Sequence, residues 1–127
     1  MKFGLLGIIK SFRLLQDEFG SILTDEVIIT DERAEHIRTK HPEDYDLFVQ
    51  YSRAVISEPD YIVRDMKNIG TVFFVRHLPD TNLNVVVRLV LEGDNPEHKN
   101  SVMTFYRLRN KNLEKLISKN KLLYKNE

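Results

Sequence analysis

The chain has 127 residues, 42% of them apolar and 30% charged, with 19 basic and 19 acidic side chains and a formal net charge of zero. That composition suits one globular domain around one modest core. It contains no cysteine, which excludes a disulfide framework, a thiolate metal site and a cysteine nucleophile, and fits a cytoplasmic protein.

The segment MKFGLLGIIKSF carries a lysine and a short apolar run, with no small-residue cleavage site before QDE. It reads as an element of the fold rather than a signal peptide, and nothing approaches a membrane span. FGLLGIIK suits a strand, and FRLLQDEF a helical turn or a second strand. EVIIT, residues 26–30, reads as a short strand. Thr30 then caps a helix whose first turn holds Asp31 and Glu32, where the helix dipole favours negative charge. That helix ends near Lys40 or His41, because Pro42 disfavours helical geometry in the residue before it. A second helix restarts at Pro42 with Glu43, Asp44 and Asp46 in its first turn. Its apolar face is Tyr45, Phe48, Val49, Val55 and Ile56, joined by Ser52, and Glu58-Pro59 stops it.

From there the period changes to two. DYIVRD, TVFFVRHL, LNVVVRLVL and SVMTFYRLR are strands, separated by KNIG, PDTN and the polar loop EGDNPEHKN. NKNLEKLISKN is helical, with Leu113, Leu116 and Ile117 on one face, and KLLYK extends it or forms a last strand. The expected fold is a single α+β domain: N-terminal helices on one face of a four-stranded antiparallel sheet, then a C-terminal helix.

Charge is uneven along the chain. Residues 15–60 hold 12 acids against 4 lysines and arginines, whereas residues 100–127 hold 7 bases against 2 acids. The two ends are therefore either solvated faces of opposite sign, or the second is a basic surface for an anionic partner.

Within LNVVVRLVL the set Leu83, Val85, Val87, Leu89 and Leu91 is wholly apolar, and Arg88 is the one charge on the other side. An arginine there is solvated, paired with an acid, or waiting for an anion. Pairing Leu78 with Leu83 through the PDTN turn sets His77 opposite Asn84 and Phe73 opposite Arg88. Pairing Leu91 with Ser101 sets Arg88 opposite Thr104 and Val86 opposite Tyr106. This register gives a dry face of Val85, Val87, Leu89, Met103 and Phe105, and a mixed face of His77, Arg88, Thr104 and Tyr106. A cation, hydroxyls and an imidazole suit an anion, phosphate above all.

His36 and His41 lie five residues apart, so on a helix their rings diverge by roughly 140°. H-I-R-T-K-H also lacks the metalloprotease carboxylate, and no metal or other cofactor is expected. His36 shares its helix side with Arg33 and Lys40, cations that favour a neutral ring, the form a general base needs. The plainer reading of His36 is a surface helix residue. His41, at the helix C-terminus, reads first as a cap at the corner between helices. His98, in a polar loop, carries no signal of its own.

The order of segments VIITDERAEHIRTKHPEDY, EPDYIV, NVVVRLV and NSVMTFYRLR, then a lysine-rich helix ending LLYKN, resembles the phage-associated branch of the BECR nuclease superfamily (barnase, EndoU, RNA-cleaving colicins, RelE-like toxins). The resemblance runs from about Val27 to Lys125. It implies a barnase/RelE-like fold and metal-independent cleavage of RNA, in which the ribose 2′-hydroxyl attacks its own phosphate to leave a 2′,3′-cyclic phosphate. RNA, and a protein inhibitor or antitoxin, are the partners expected of such a nuclease, and with no membrane span in the sequence no membrane is expected among them. The residues it carries over are His36 as the helical histidine, Arg88 as the basic residue on the sheet, and Ser101 and Thr104 as hydroxyls on the following strand. In a regular strand Ser101 and Thr104 face opposite ways, so both serve one site only if Ser101 precedes the strand proper. Tyr106 would stack a base; Arg107, Arg109 and Lys111 would hold the RNA backbone, with His41 and His77 beside them. The competing class is a non-catalytic module of a phage or mobile element that binds nucleic acid or protein through the same face.

Overall fold

In a computed structural model of the protein, which describes residues 3–95 and 97–126, the chain forms seven strands and four helices. In order these are β1 (Phe3–Ile8), α1 (Phe12–Phe19), β2 (Glu26–Thr30), α2 (Asp31–Lys40), α3 (Pro42–Ser57), β3 (Tyr61–Arg64), β4 (Thr71–His77), β5 (Asn82–Arg88), β6 (Asn100–Leu108), α4 (Asn110–Lys119) and β7 (Lys121–Lys125).

The α+β class holds, but the sheet is seven-stranded and mixed, in the order β1-β2-β6-β5-β4-β3-β7, rather than four-stranded and antiparallel. The expected meander is its centre. On one side β2 joins β6 in parallel, with Val27 opposite Asn100 and Ile28 opposite Ser101, and β1 extends the sheet antiparallel to β2. On the other side β7 pairs antiparallel with β3. A parallel partner far along the chain has no turn between the strands, so nothing local in the sequence announces it. The buried amide of Asn100 makes that junction. Its nitrogen donates to the Thr24 and Glu26 carbonyls at 2.6 and 2.9 Å, while its oxygen accepts from Val90 N at 2.8 Å.

Helices lie on both faces, not one. Leu15 of α1, Ile37 of α2 and Phe48, Val55 and Ile56 of α3 pack with Val72, Phe74, Leu83, Val85, Val87, Val102 and Phe105 as the main core. On the opposite face α4 sets Leu113, Leu116 and Ile117 against Val63, Phe73, Val75, Val86 and Leu108. The Thr30 side chain caps α2 by accepting from Arg33 N at 3.2 Å, and Pro42 opens α3 as expected.

Register differs from the expected one. Thr71, not Phe73, lies opposite Arg88, and His77 lies opposite Asn82. Arg88 lies opposite Ser101, Val86 opposite Thr104 and Asn84 opposite Tyr106, with a shift between Val86 and Val87. The shift is a bulge that leaves Met103 without its own partner, and a bulge changes which way every later residue faces. Met103 therefore packs with Val86 and Tyr106 under α4 rather than in the main core.

Candidate functional site

Alternation along β5 places Asn82, Asn84, Val86 and Arg88 on the α4 side of the sheet. Arg88 is half-buried at the end of that row. Its Nη1 donates to the Ile69 carbonyl at 2.5 Å. Among the described residues no carboxylate pairs with it; the ion pairs lie elsewhere. A partly desolvated guanidinium that bonds a neutral carbonyl keeps its full charge for an incoming anion.

The surroundings supply space for one. Arg88 lines a cavity of about 640 Å³ with Ile28, Thr30, Ser101, His98 and Lys99, and with the acidic Asp94 and Glu97. Ser101 enters as the cross-strand partner of Arg88, while Ile28 pairs with Ser101 in turn. The Asp94 carboxylate accepts from Leu91 N at 2.8 Å, within its own loop. The bulge at Met103 brings Thr104 onto this same face, since its partner Val86 shares a side with Arg88. Thr104 is half-buried, further along β6 and outside the cavity wall.

Helix α2 runs beside β6. Near its start Arg33 Nη1 reaches the Met103 carbonyl at 3.4 Å. Past its end His41 joins Tyr106 and Arg107 of β6 in a second cavity of about 480 Å³, with Asp44, Asp80, Thr81 and Arg109. Ile37 is fully buried in the core, so His36, one residue earlier, leaves the helix roughly 100° away, on the flank of Arg33 and Lys40. His36 is exposed and is not part of the Arg88 cavity wall. The imidazole and the guanidinium are thus not brought together in one cavity: α2 packs with the main core through Ile37, whereas Arg88 lies on the α4 side of the sheet.

The second cavity is electrostatically different. Arg107 Nε lies 2.7 Å from Asp44 Oδ1, paired in charge though not aligned as a hydrogen bond. Glu43 stands 4.0 Å from Arg107 Nη2. Acidic residues of α3 therefore compensate this cation, whereas Arg88 has no such ion pair among the described residues. Burial pushes the Tyr106 phenol above its ordinary value. The ring stays a neutral surface at physiological pH.

The remaining residues singled out by the sequence are dispersed. Arg109 precedes α4 and Lys111 is exposed in its first turn. His77 sits at the end of β4, where its ring contacts Asn82 Oδ1 and meets Tyr61 edge-on at 5.2 Å. It shares a cavity of about 430 Å³ with Arg109 and stands outside both cavities along β6. Sequence reasoning did not find Ile28, Thr30, His98 or Lys99. Thr30 read as a helix cap, which it is, and its second role depends on the parallel β2–β6 pairing. Among the described residues no group of three histidine, aspartate or glutamate side chains is placed to hold a metal ion. No helix is long and apolar enough to cross a membrane.

Set against known families, residues 7–125 match the model of one described as phage-Barnase-EndoU-ColicinE5/D-RelE like nuclease2. The match begins some twenty residues ahead of the resemblance read from the sequence, and so takes in α1. No curated protein and no solved structure matches the chain.

Proposed function

The chain belongs to the phage-Barnase-EndoU-ColicinE5/D-RelE like nuclease2 family, and from that premise we propose that it cleaves RNA without a metal ion, by attack of the ribose 2′-hydroxyl on the adjacent phosphodiester. The O2′–P bond forms, the P–O5′ bond breaks, and the products are a 2′,3′-cyclic phosphate and a free 5′-hydroxyl. The 2′-hydroxyl proton passes to a general base, and the departing 5′ oxygen receives one from a general acid. His36 is assigned to this proton transfer, each such group contributing roughly 10²- to 10⁴-fold.

The observation that carries the reading is Arg88. It is half-buried, forms no ion pair among the described residues, and lines a cavity wide enough for a phosphodiester, with Ser101 across the strand pair and Asp94 and Glu97 also in the lining. In the pentavalent transition state the equatorial oxygens gain charge, and Arg88 and Ser101 are assigned to meet it; one such contact is worth on the order of 3 kcal/mol. Thr104 is assigned to orient the phosphate oxygens from further along β6. The strand leaving the site would run along β6 toward Tyr106, His41, Arg107, Arg109 and Lys111, where an aromatic face suits an unstacked base and cations suit the backbone.

The test is cleavage of a single-stranded RNA in the presence of excess EDTA, with the 3′ products separated by end-group chemistry. Cyclic phosphate ends are expected, with activity lost in Arg88→Ala and His36→Ala proteins that remain folded. Cleavage abolished by the chelator, or proceeding at the wild-type rate in both variants, would overturn the assignment. A wild-type protein that binds RNA and never cuts it would favour the non-catalytic alternative.

A further inference from the structure

Arg88 carries a long, flexible side chain at a strand end, and something must hold its head group at the cavity wall. The turn between β3 and β4 does so. Gly70, buried within that turn, has φ +82°, and a Cβ built on it would lie 1.6 Å from Arg88 Nη1 and 2.9 Å from Arg88 Cζ. The guanidinium therefore occupies the space that any other residue's side chain would fill. The preceding carbonyl, Ile69 O, accepts from the same Nη1 at 2.5 Å, and the following one, Gly70 O, accepts from Leu89 N at 2.8 Å.

The turn is itself braced. The buried Asp65 carboxylate accepts from Lys67 N at 2.8 Å and Asn68 Nδ2 at 2.9 Å, and Thr71 N donates to Asn68 O at 3.2 Å. A rigid turn thus meets the guanidinium with one carbonyl and one missing side chain. Positive φ alone would favour glycine but admit asparagine. The contact with Arg88 adds an independent reason: a Cβ at this position would push the guanidinium out of its place.

We propose that Gly70 is a positioning residue: with the Ile69 carbonyl it seats the Arg88 guanidinium in the cavity, ready for a phosphodiester. This rests on the reading that Arg88 meets the scissile phosphate. Holding the donor before the substrate arrives is what makes such a group effective, because nothing need reorganise as charge develops.

The experiment is a double-mutant cycle with two readouts, RNA cleavage and the Arg88 Nε–H resonance, followed as inorganic phosphate is added. Gly70→Ala is expected to lower kcat about 10²-fold, with KM changed much less, and to add little to the loss already caused by Arg88→Ala. The Arg88 resonance should be dispersed and phosphate-responsive in the wild type. It should collapse to the position of a free arginine in Gly70→Ala while the backbone amide spectrum is retained. An Arg88 resonance and phosphate response unchanged by Gly70→Ala, or fully additive activity losses, would overturn the proposal. If the wild type cuts no RNA and its Arg88 ignores phosphate, the nuclease reading fails, and the resonance still reports whether Gly70 seats the side chain. Should Gly70→Ala not fold, Gly70→Asn carries the same Cβ on a residue type that tolerates the backbone angle. If neither folds, recovery of folding by Arg88→Ala supports the clash, and failure to recover counts against it.

Discussion

Ser101 and Thr104 present their side chains on the same face of β6, although they are three positions apart, an offset that sets side chains on opposite faces of a regular strand. Thr104 lies opposite Val86 and Ser101 opposite Arg88, two residues apart on β5, and the bulge at Met103 absorbs the extra position. Only Ser101 also lines the Arg88 cavity. Ser101→Ala is therefore expected to lower kcat about 10²-fold, the loss typical of one oxyanion donor. Thr104→Val should cost less than about tenfold in the same assay. Equal losses would mean that the scissile phosphate sits further along β6 than the cavity places it.

Asn84 is fully buried opposite Tyr106, and among the described residues neither its amide nitrogen nor its oxygen has a hydrogen-bond partner. An orphaned buried amide costs on the order of 1–3 kcal/mol, so an apolar replacement of similar shape removes a penalty. Asn84→Leu is expected to stabilise the fold by about 1 kcal/mol, raising Tm by a few degrees in thermal unfolding. A lower Tm would show that the amide is satisfied by an ordered water or by Tyr106.

Asn100 has the opposite character, with three hydrogen bonds from one buried amide. Asn100→Ala leaves two carbonyls and the Val90 N–H unpaired, at a cost of about 3 kcal/mol. Hydrogen exchange should then accelerate first in β1 and β2, which that amide ties to β6. Uniform acceleration across the sheet would argue against so local a role.

Glu18 of α1 accepts from Lys121 Nζ at 2.9 Å and from Arg64 Nη1 at 2.7 Å, joining the helix to β7 and β3. These two bonds, Lys121 first, hold its carboxyl below the ordinary glutamate value. A lowered folded value means that the stabilisation is whole above the unfolded value, near 4.5, and is lost as pH falls through the folded one. Glu18→Gln should cost about 1 kcal/mol at neutral pH and little once the wild-type carboxyl is protonated. Urea titrations at neutral pH and below pH 4 measure this, and a constant difference would rule out the ion pairs as its source.

Much of the fold was legible where the signal is local. Thr30 as a cap, Pro42 at a helix start and the turns at KNIG and PDTN placed α2, α3 and the central meander. What escaped is non-local. KLLYK pairs with β3, EVIIT lies parallel to β6, and neither contact has a connecting turn to betray it. For the site, period two grouped Arg88 with Thr104 and Tyr106, and the hairpin register came out two residues off, which preserves facing. The bulge did not preserve it: no residue type marks Met103, so its place beneath α4 and the company of Ser101 with Thr104 were both hidden. His98 and Lys99 lie in a polar loop whose path is set by the strands it joins.

The parallel junction of β2 with β6 also governs how the molecule reaches this shape. Val27 meets Asn100, and Arg64 meets Lys121, so both flanks of the sheet close over spans of more than about fifty residues, each an entropic toll before any contact rewards it. The β3–β6 meander can form early from neighbouring hairpins, while the outer strands must wait. Refolding in milliseconds to seconds, with the flanks the last to gain protection, is the kinetic signature such a topology imposes.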